Sequence, residues 1–343
     1  MKAIVKYGQE PGAIALKEMP KPKPKLGEVL VQIKATGICY TDVSIVNNRY
    51  KGRKPVPVPV ILGHEGAGIV AEIGEGVKNV SPGNRVGLEA LYGCGKCLYC
   101  LSGNKNMCTD WEHIGVTRHG TFAEYIVVPE DLAYELPEEV SFTDAACLEP
   151  ISLTARTFEH VKPMMGETAA IIGPGSIGLL HLQALKAAGA AKVIVIGIDQ
   201  DEKRFEVAKR LGADHIINSN REDAVKRVWE LTYGLGADIV VETANSPEAL
   251  PLAIDIAAAR GRIALFGLYP EAVISPLTIL RGGLSLYGDV GVLPRHFMRA
   301  IRWVRYKRVL AEPLVQRRFK LEEVKEAFEA FRQGETVKVL FEL

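Results

Sequence analysis

The amino-acid sequence predicts an α/β protein of two domains, one mostly β and one built on a doubly wound parallel sheet. The chain has 343 residues, which is more than one ordinary core organises. Its pattern changes near residue 153. Before that point, short apolar runs are bounded by Gly and Pro, and after it continuous apolar runs alternate with amphipathic helical segments.

Composition excludes several classes of protein. Apolar residues make up 48% and charged residues 24% of the chain, as in soluble globular proteins. The net charge of +1 gives no field that would hold nucleic acid or an anionic membrane. The N-terminus lacks the apolar run of a signal peptide, and no segment approaches the roughly 18 apolar residues of a membrane span. Six cysteines are too few for a disulfide scaffold, so we expect a reducing, cytoplasmic setting with metal-bound thiols.

The first domain, residues 1–152, is predicted to be mostly β. Its strand-like runs are EVLVQIKATG, GAGIVAEIG, NRVGLEA and FAEYIVVP.

The second domain, residues 153–291, is predicted to hold the parallel sheet. Its strands and helices follow one another as AAIIG, SIGLLHLQALKAAGA, KVIVIGID, QDEKRFEVAKRLGA, HIIN, DIVVETAN and RIALFGL. Two further helical segments and the strand VKVLFEL follow in residues 292–343.

A glycine-rich turn marks this domain as dinucleotide-binding. Gly173, Gly175 and Gly178 have G-x-G-x-x-G spacing, with Ser176 and Ile177 between the last two, after a strand and at the start of a helix. The first glycine permits a tight turn, the second a close approach of the pyrophosphate, and the third close helix–strand packing. The alternative is a glycine-rich turn of another α/β fold.

An acidic residue completes this βαβ unit. Asp199 lies 21 residues after Gly178, at the end of the next strand, where it would bind the adenosine ribose and repel a 2′-phosphate. The sequence therefore favours NAD over NADP, although the nearby Arg204 is of the type that accommodates a 2′-phosphate.

Four of the six cysteines lie in one short segment and predict a metal site. Their spacing is C-x2-C-x2-C-x7-C, and four thiolates make a closed, structural zinc site; they are Cys94, Cys97, Cys100 and Cys108. The alternatives are an iron–sulfur cluster and a nucleic-acid-binding zinc module. The near-zero net charge disfavours the second alternative.

A second group of metal-binding residue types is scattered. Cys39, His64, Glu65 and Glu149 lie in separate segments, and their spacing alone favours ordinary structural roles.

Over nearly its whole length the chain resembles the zinc-dependent medium-chain dehydrogenases of the alcohol dehydrogenase superfamily. The motifs are GHEGAGIVAEIGEGV followed by GNRVGL, the four-cysteine lobe, GTFAEYIVVP, GPGSIG and the order of the domains. The resemblance implies a GroES-like catalytic domain of residues 1–152 completed by 292–343, and a Rossmann domain of residues 153–291. It also places the active cleft between them.

The resemblance also implies a catalytic zinc, and hence two zinc ions per chain. Cys39 and His64 would hold this zinc, with Glu65 or Glu149 as a further ligand, direct or through water. Zinc would act as a Lewis acid on the alcohol, which then transfers hydride to the nicotinamide.

Further roles follow from matching positions. Thr41 corresponds to the hydroxyl that takes the alcohol proton, and Asp42 to an acid that orients the ligands. Lys338 corresponds to a basic pyrophosphate contact. Ser44 stands where many members have a relay histidine, which disfavours a threonine dehydrogenase.

The pair Glu149-Pro150 resembles the sorbitol, threonine and sugar dehydrogenases. The leading hypothesis is therefore an NAD-dependent oxidation of a secondary hydroxyl group in a polyol or sugar-like substrate. The alternatives are an L-threonine 3-dehydrogenase, a sugar C1 dehydrogenase, and a retired dehydrogenase that senses dinucleotide.

Two surface features carry weaker hypotheses. Lys51, Arg53 and Lys54 would suit an anionic substrate, although a solvated loop is favoured. The run LSLYGDVGV resembles a subunit-contact strand, which predicts a homodimer or homotetramer.

Overall fold

The computed structural model describes residues 1–334 and 336–343, which fall into two compact units. The first comprises 1–152, 291–307 and 315–343, and the second 153–290 and 308–314. The segment 308–314 thus departs from the assignment of 292–343 as a whole to the first domain. It is held in the second unit because the Gln183 amide nitrogen donates to the Leu310 carbonyl oxygen at 2.9 Å, while the amide oxygen accepts from the Leu310 N–H at 3.0 Å.

The described residues form strands and helices as follows. The strands are β1 (Lys2–Lys6), β2 (Ile14–Glu18), β3 (Glu28–Gly37), β4 (Val60–Ile61), β5 (Glu65–Ile73), β6 (Arg85–Leu88), β7 (Leu91–Tyr92), β8 (Glu112–His113), β9 (Tyr125–Pro129), β10 (Ala133–Glu135), β11 (Thr168–Ile172), β12 (Lys192–Gly197), β13 (His215–Asn218), β14 (Ala237–Glu242), β15 (Ala257–Leu265), β16 (Ser285–Gly288), β17 (Val315–Phe319) and β18 (Lys338–Glu342). The helices are α1 (Tyr40–Val46), α2 (Leu98–Leu101), α3 (Phe142–Ala146), α4 (Leu148–Val161), α5 (Ser176–Ala187), α6 (Glu202–Arg210), α7 (Ala224–Leu231), α8 (Ala249–Ile256), α9 (Pro276–Gly282), α10 (Pro294–Arg305) and α11 (Val324–Arg332).

The first unit is organised by a seven-stranded sheet. Its strand order is β10-β6-β5-β3-β18-β17, with β9 also paired to β3. The long strand β3 covers the whole run EVLVQIKATG, whose residues are buried except for the partly buried Glu28, Gln32 and Lys34. Two antiparallel registers meet at its end, where Gly37 lies opposite both Glu65 of β5 and Leu340 of β18. The register therefore brings three distant segments to one point.

The second unit is a six-stranded parallel sheet of order β13-β12-β11-β14-β15-β16. The chain steps outward from β11 to β13 on one side and then from β14 to β16 on the other, which is the doubly wound arrangement. The central strands are buried along almost their whole length, as a sheet covered on both faces requires. The predicted fold class is confirmed.

In the described part of the chain, every helix falls short of the length and apolarity that crossing a membrane demands.

Candidate active site and metal centres

Three of the scattered candidate ligands come together in the first unit. The ligand atoms of Cys39, His64 and Glu65 all lie within 4.8 Å of one another. Cys39 precedes α1, whereas His64 and Glu65 stand at the start of β5. Thiolate, imidazole and carboxylate are the groups that zinc takes, and three protein ligands leave a position for a further oxygen. The donor set therefore fits an open zinc site.

Asp42 accepts hydrogen bonds from both chain segments that carry the cluster. One of its carboxylate oxygens accepts a hydrogen bond from the Cys39 N–H at 2.9 Å and the other accepts from the Gly63 N–H at 3.2 Å. The second oxygen also lies 3.5 Å from Nδ1 of His64. Burial by itself would lower the pKa of His64, but the charges of Asp42 and Cys39 raise it well above its usual value. The site thus favours positive charge at its centre.

Lys338 reaches the same cluster from the last strand. Its ammonium group forms an ion pair with Glu65 and donates a hydrogen bond to the Ile38 carbonyl oxygen at 3.0 Å. Burial lowers the pKa of this lysine, but the Glu65 carboxylate outweighs that effect and leaves the pKa raised. In the first unit Lys338 therefore holds Glu65, and its contact with a pyrophosphate stays a prediction.

Gly37 provides the space for that ion pair. A Cβ atom at this position would overlap the Glu65 carboxylate and lie 2.9 Å from Cε of Lys338. No motif in the sequence singled out Gly37, because its importance depends on the sheet register.

Other predicted site residues are not among the three whose ligand atoms converge. Glu149 is buried near the start of α4 and is not among the three residues whose ligand atoms converge. Thr41 and Ser44 are partly buried on α1. Cys147, which had no predicted role, is buried.

The four clustered cysteines also converge. Their ligand atoms lie within 4.8 Å of one another, and the backbone N–H groups of Cys94 and Asp110 each donate to Sγ of Cys108 at 3.3 Å. Backbone hydrogen bonds, chiefly from Cys100, lower the pKa of Cys97 to about 6, whereas burial raises that of Cys100 to about 12. Four thiols in this arrangement fit a closed tetrahedral zinc site.

Two of the three cations of the basic loop already have partners in the described chain. Lys54 forms ion pairs with Asp110 at 2.6 Å and Glu112 at 3.0 Å, and Arg53 donates to the Asn106 carbonyl oxygen at 3.1 Å. Only Lys51 of the three predicted cations is without a contact of this kind among the described residues. The loop is a weak candidate for an anion site.

The glycine turn has the geometry that its spacing predicts. Gly173 has φ of 96°, which side chains disfavour, and a Cβ atom on Gly178 would overlap the Gly173 carbonyl oxygen. A Cβ atom on Gly175 would meet nothing within 4 Å, so the backbone there is open. Ser176 and Ile177 begin α5, whose first N–H groups point to this turn.

The carboxylate of Asp199 already accepts hydrogen bonds from neighbouring side chains. Its Oδ1 atom accepts from Asn218 at 2.8 Å and from Nε of Arg221 at 2.7 Å. Arg204 instead donates to Asp201 at 2.9 Å. Arg221 escaped the sequence analysis because it lies 22 residues beyond Asp199 and belongs to no motif.

His113 is a third residue, after Gly37 and Arg221, that no motif indicated. Its ring lies 5.4 Å from that of His64, centroid to centroid, in an edge-on arrangement. Burial, together with the neighbouring charge of His64, lowers the pKa of His113 to about 4.

Comparison with known proteins gives two matching family models and many relatives. Residues 25–138 match the alcohol dehydrogenase GroES-like domain, and residues 176–305 match the zinc-binding dehydrogenase domain. A sorbitol dehydrogenase of Halalkalibacterium halodurans is 35% identical, over 99% of this chain and 98% of the relative. An L-threonine 3-dehydrogenase of Pyrococcus horikoshii is 36% identical, over 100% and 97%.

Two solved structures show the same fold with a bound nucleotide. An alcohol dehydrogenase from Escherichia coli, complexed with NADH, has a TM-score of 0.91 at 30% identity, over 100% of this chain and 99% of that one. A zinc-binding dehydrogenase from Sinorhizobium meliloti, bound to NADP, has a TM-score of 0.91 at 29% identity with the same coverage.

Proposed function

Since the chain belongs to the zinc-binding alcohol dehydrogenase family, we propose that it oxidises a secondary hydroxyl group of a polyol or sugar-like alcohol to a ketone and reduces NAD. The observation that carries this proposal is the convergence of Cys39, His64 and Glu65 in a mostly buried position with three ligands. A closed four-ligand site would have no position for an alcohol oxygen, whereas this site has one.

Cys39, His64 and Glu65 are the residues that would hold the catalytic zinc, with Glu149 as an exchangeable neighbour. Zinc bound there would supply Lewis-acid stabilisation of charge on the alcohol oxygen, and NAD would accept the hydride. The four clustered cysteines would hold a second, structural zinc, so we expect two ions per chain.

The chain's own groups orient the ligands and the proton. Asp42 fixes the Cys39 backbone and faces Nδ1 of His64, which sets the orientation of the imidazole ring. Lys338 holds the carboxylate of Glu65. The Thr41 hydroxyl, two residues after Cys39 on α1, is the candidate to receive the alcohol proton and pass it to water, since Ser44 offers no imidazole.

The environment of Asp199 supports NAD as the preferred nucleotide. Asn218 and Arg221 share one carboxylate oxygen, while the other accepts, among the described residues, a single long hydrogen bond from Asn220 at 3.4 Å. That second oxygen is the candidate acceptor for a ribose hydroxyl, and its negative charge disfavours a 2′-phosphate.

The test is NAD reduction by zinc-loaded protein with polyols, sugars, L-threonine, simple secondary alcohols and sugar phosphates, alongside NADP and the variant Cys39→Ala. Turnover of polyols with NAD, lost in the variant, is expected. If NAD and two zinc ions bind but no alcohol is oxidised, the sensor alternative replaces this proposal.

A second candidate is oxidation of L-threonine at C3. It is favoured by the relatives named L-threonine 3-dehydrogenase, which match the whole chain at 36% identity. Against it, Ser44 replaces a histidine of that branch. Higher kcat/KM for L-threonine than for any polyol would select this candidate.

A further inference from the structure

His113 lies beside the cluster of Cys39, His64 and Glu65, within the first unit. It ends the short strand β8, where it pairs with Leu91 of β7. Its ring lies edge-on between those of His64, at 5.4 Å, and Trp111, at 6.1 Å. His113 is partly exposed, whereas His64 and Trp111 are buried.

The hydrogen bonds of His113 determine which ring nitrogen carries the proton. Nδ1 lies 2.7 Å from the Ile114 carbonyl oxygen, and a carbonyl oxygen can only accept. Nδ1 is therefore the donor, and Nε2 of the neutral ring is left with a free lone pair. Among the described residues no donor is bonded to Nε2.

Trp111, whose ring lies edge-on to that of His113, has a second polar atom without a partner. The indole N–H of Trp111 is buried and has no acceptor among the described residues. A buried donor without an acceptor, such as the Trp111 indole N–H, is rare in proteins. It lies next to the partly exposed ring of His113, whose Nε2 lone pair is also without a partner among the described residues, so both residues offer a polar atom to a ligand beside the cluster.

We propose that Nε2 of His113 accepts a hydrogen bond from a second hydroxyl group of the substrate, on the carbon beside the one that is oxidised. His113 is thus a residue that selects vicinal diols and polyols over simple secondary alcohols. This inference rests on the proposed function, because it assumes that the alcohol to be oxidised lies at the cluster of Cys39, His64 and Glu65.

The charges near the cluster favour the same neutral substrates. Lys338 is paired with Glu65, and Lys54 with Asp110 and Glu112, so neither presents a free cation for a substrate carboxylate. A neutral imidazole acceptor suits a hydroxyl donor and gains nothing from a carboxylate.

The test compares butane-2,3-diol with butan-2-ol, which has the same carbon skeleton but lacks the second hydroxyl group. Zinc-loaded wild type, His113→Leu and His113→Gln are assayed with NAD. For the leucine variant we expect kcat/KM to fall about 10- to 100-fold for the diol and less than about threefold for butan-2-ol, because a site that hydrogen-bonds a hydroxyl discriminates through that bond. Glutamine keeps an acceptor oxygen and should recover part of the loss.

A binding signal complements the kinetics. In ¹⁵N spectra of the histidine-labelled protein, the His113 Nε2 resonance should move upfield on addition of the diol and stay in place with butan-2-ol. Zinc content should remain two ions per chain in both variants, which excludes loss of a metal ligand.

Equal losses for both alcohols, no loss for the diol, or an unmoved Nε2 resonance would each overturn the role of His113. Failure of the proposed function is distinguishable, because the wild type would then oxidise neither alcohol, and the resonance alone would decide whether the diol meets His113.

Discussion

The two metal-ligand clusters of the first unit are assembled in opposite ways. The four cysteines of the lobe lie between positions 94 and 108, on α2 and the turns beside it. The three-ligand cluster draws Cys39 and His64 from segments 25 residues apart, and the lysine that holds it binds a carbonyl group 300 residues away in the sequence.

The clusters also differ in their surroundings. Two leucines of α2, Leu98 and Leu101, are 76% and 75% exposed, so this helix has little apolar support. In contrast, Asp42, Glu65 and Lys338 are at most 2% exposed. We infer that in the lobe the ligands hold the chain, whereas in the open cluster the folded chain holds the ligands. Removing a ligand from the lobe should therefore lower the stability of the fold, whereas removing one from the open cluster should lower the activity.

The largest effect is expected for Cys39→Ala. Loss of the thiolate removes the Lewis acid from the alcohol site, and kcat/KM should fall about 10³-fold or more. The midpoint of thermal unfolding should change little, and bound zinc should fall from two ions to one. Cys147→Ala, at the other cysteine outside the lobe, is the matched control for activity and zinc content. Retained activity in Cys39→Ala would break the comparison.

Cys97→Ser tests the lobe. A structural zinc contributes folding free energy directly, so the free energy of unfolding should decrease by ~3 kcal/mol, measured in denaturant. Ser102→Ala, in the same lobe, should change it by less than ~0.5 kcal/mol. If Cys97→Ser instead loses activity at unchanged stability, the roles of the two clusters are reversed.

Gly37→Ala sharpens the comparison at the open cluster. The added methyl group would displace the Glu65 carboxylate and the Lys338 side chain, and misplacement of a ligand should lower kcat/KM about 10-fold. The control is Gly288→Ala, where the new Cβ atom meets nothing within 4 Å. Equal activity of the two variants would show that the position of Glu65 is not critical.

The smallest effect is expected for Leu101→Ser on α2. Because this side chain is mostly exposed, the free energy of unfolding should change by less than ~0.5 kcal/mol in the denaturant assay used for Cys97→Ser. A loss of 1 kcal/mol or more would mean that apolar packing, and not the cysteines alone, stabilises the lobe.

Features that depend on neighbouring residues could be predicted from the sequence. The run EVLVQIKATG is β3 from end to end, and the glycine turn joins β11 to α5 as its spacing requires. The segment 308–314 was assigned differently, because its place depends on Gln183, more than 120 residues earlier.

The residues of the candidate site can be divided in the same way, into those that a local pattern predicts and those that it does not. The spacing of the four cysteines by itself predicted a metal site, because thiols separated by two residues in one short segment converge wherever that segment lies. Cys39, His64 and Glu65 could be grouped only through resemblance to a family. Gly37, His113 and Arg221 carried no signal at all, since each matters through residues distant in the sequence.

The sequence by itself determined the doubly wound second unit, the glycine turn and the cysteine lobe, because short-range backbone geometry follows from adjacent residues. Only the tertiary structure decided that Glu65 lies opposite Gly37, that Lys338 reaches both, and that Arg221 binds Asp199. The physical reason is strand register. A shift of one residue between β3 and β5 would turn every side chain to the other face, and no local pattern specifies which residue of one strand meets which residue of the other.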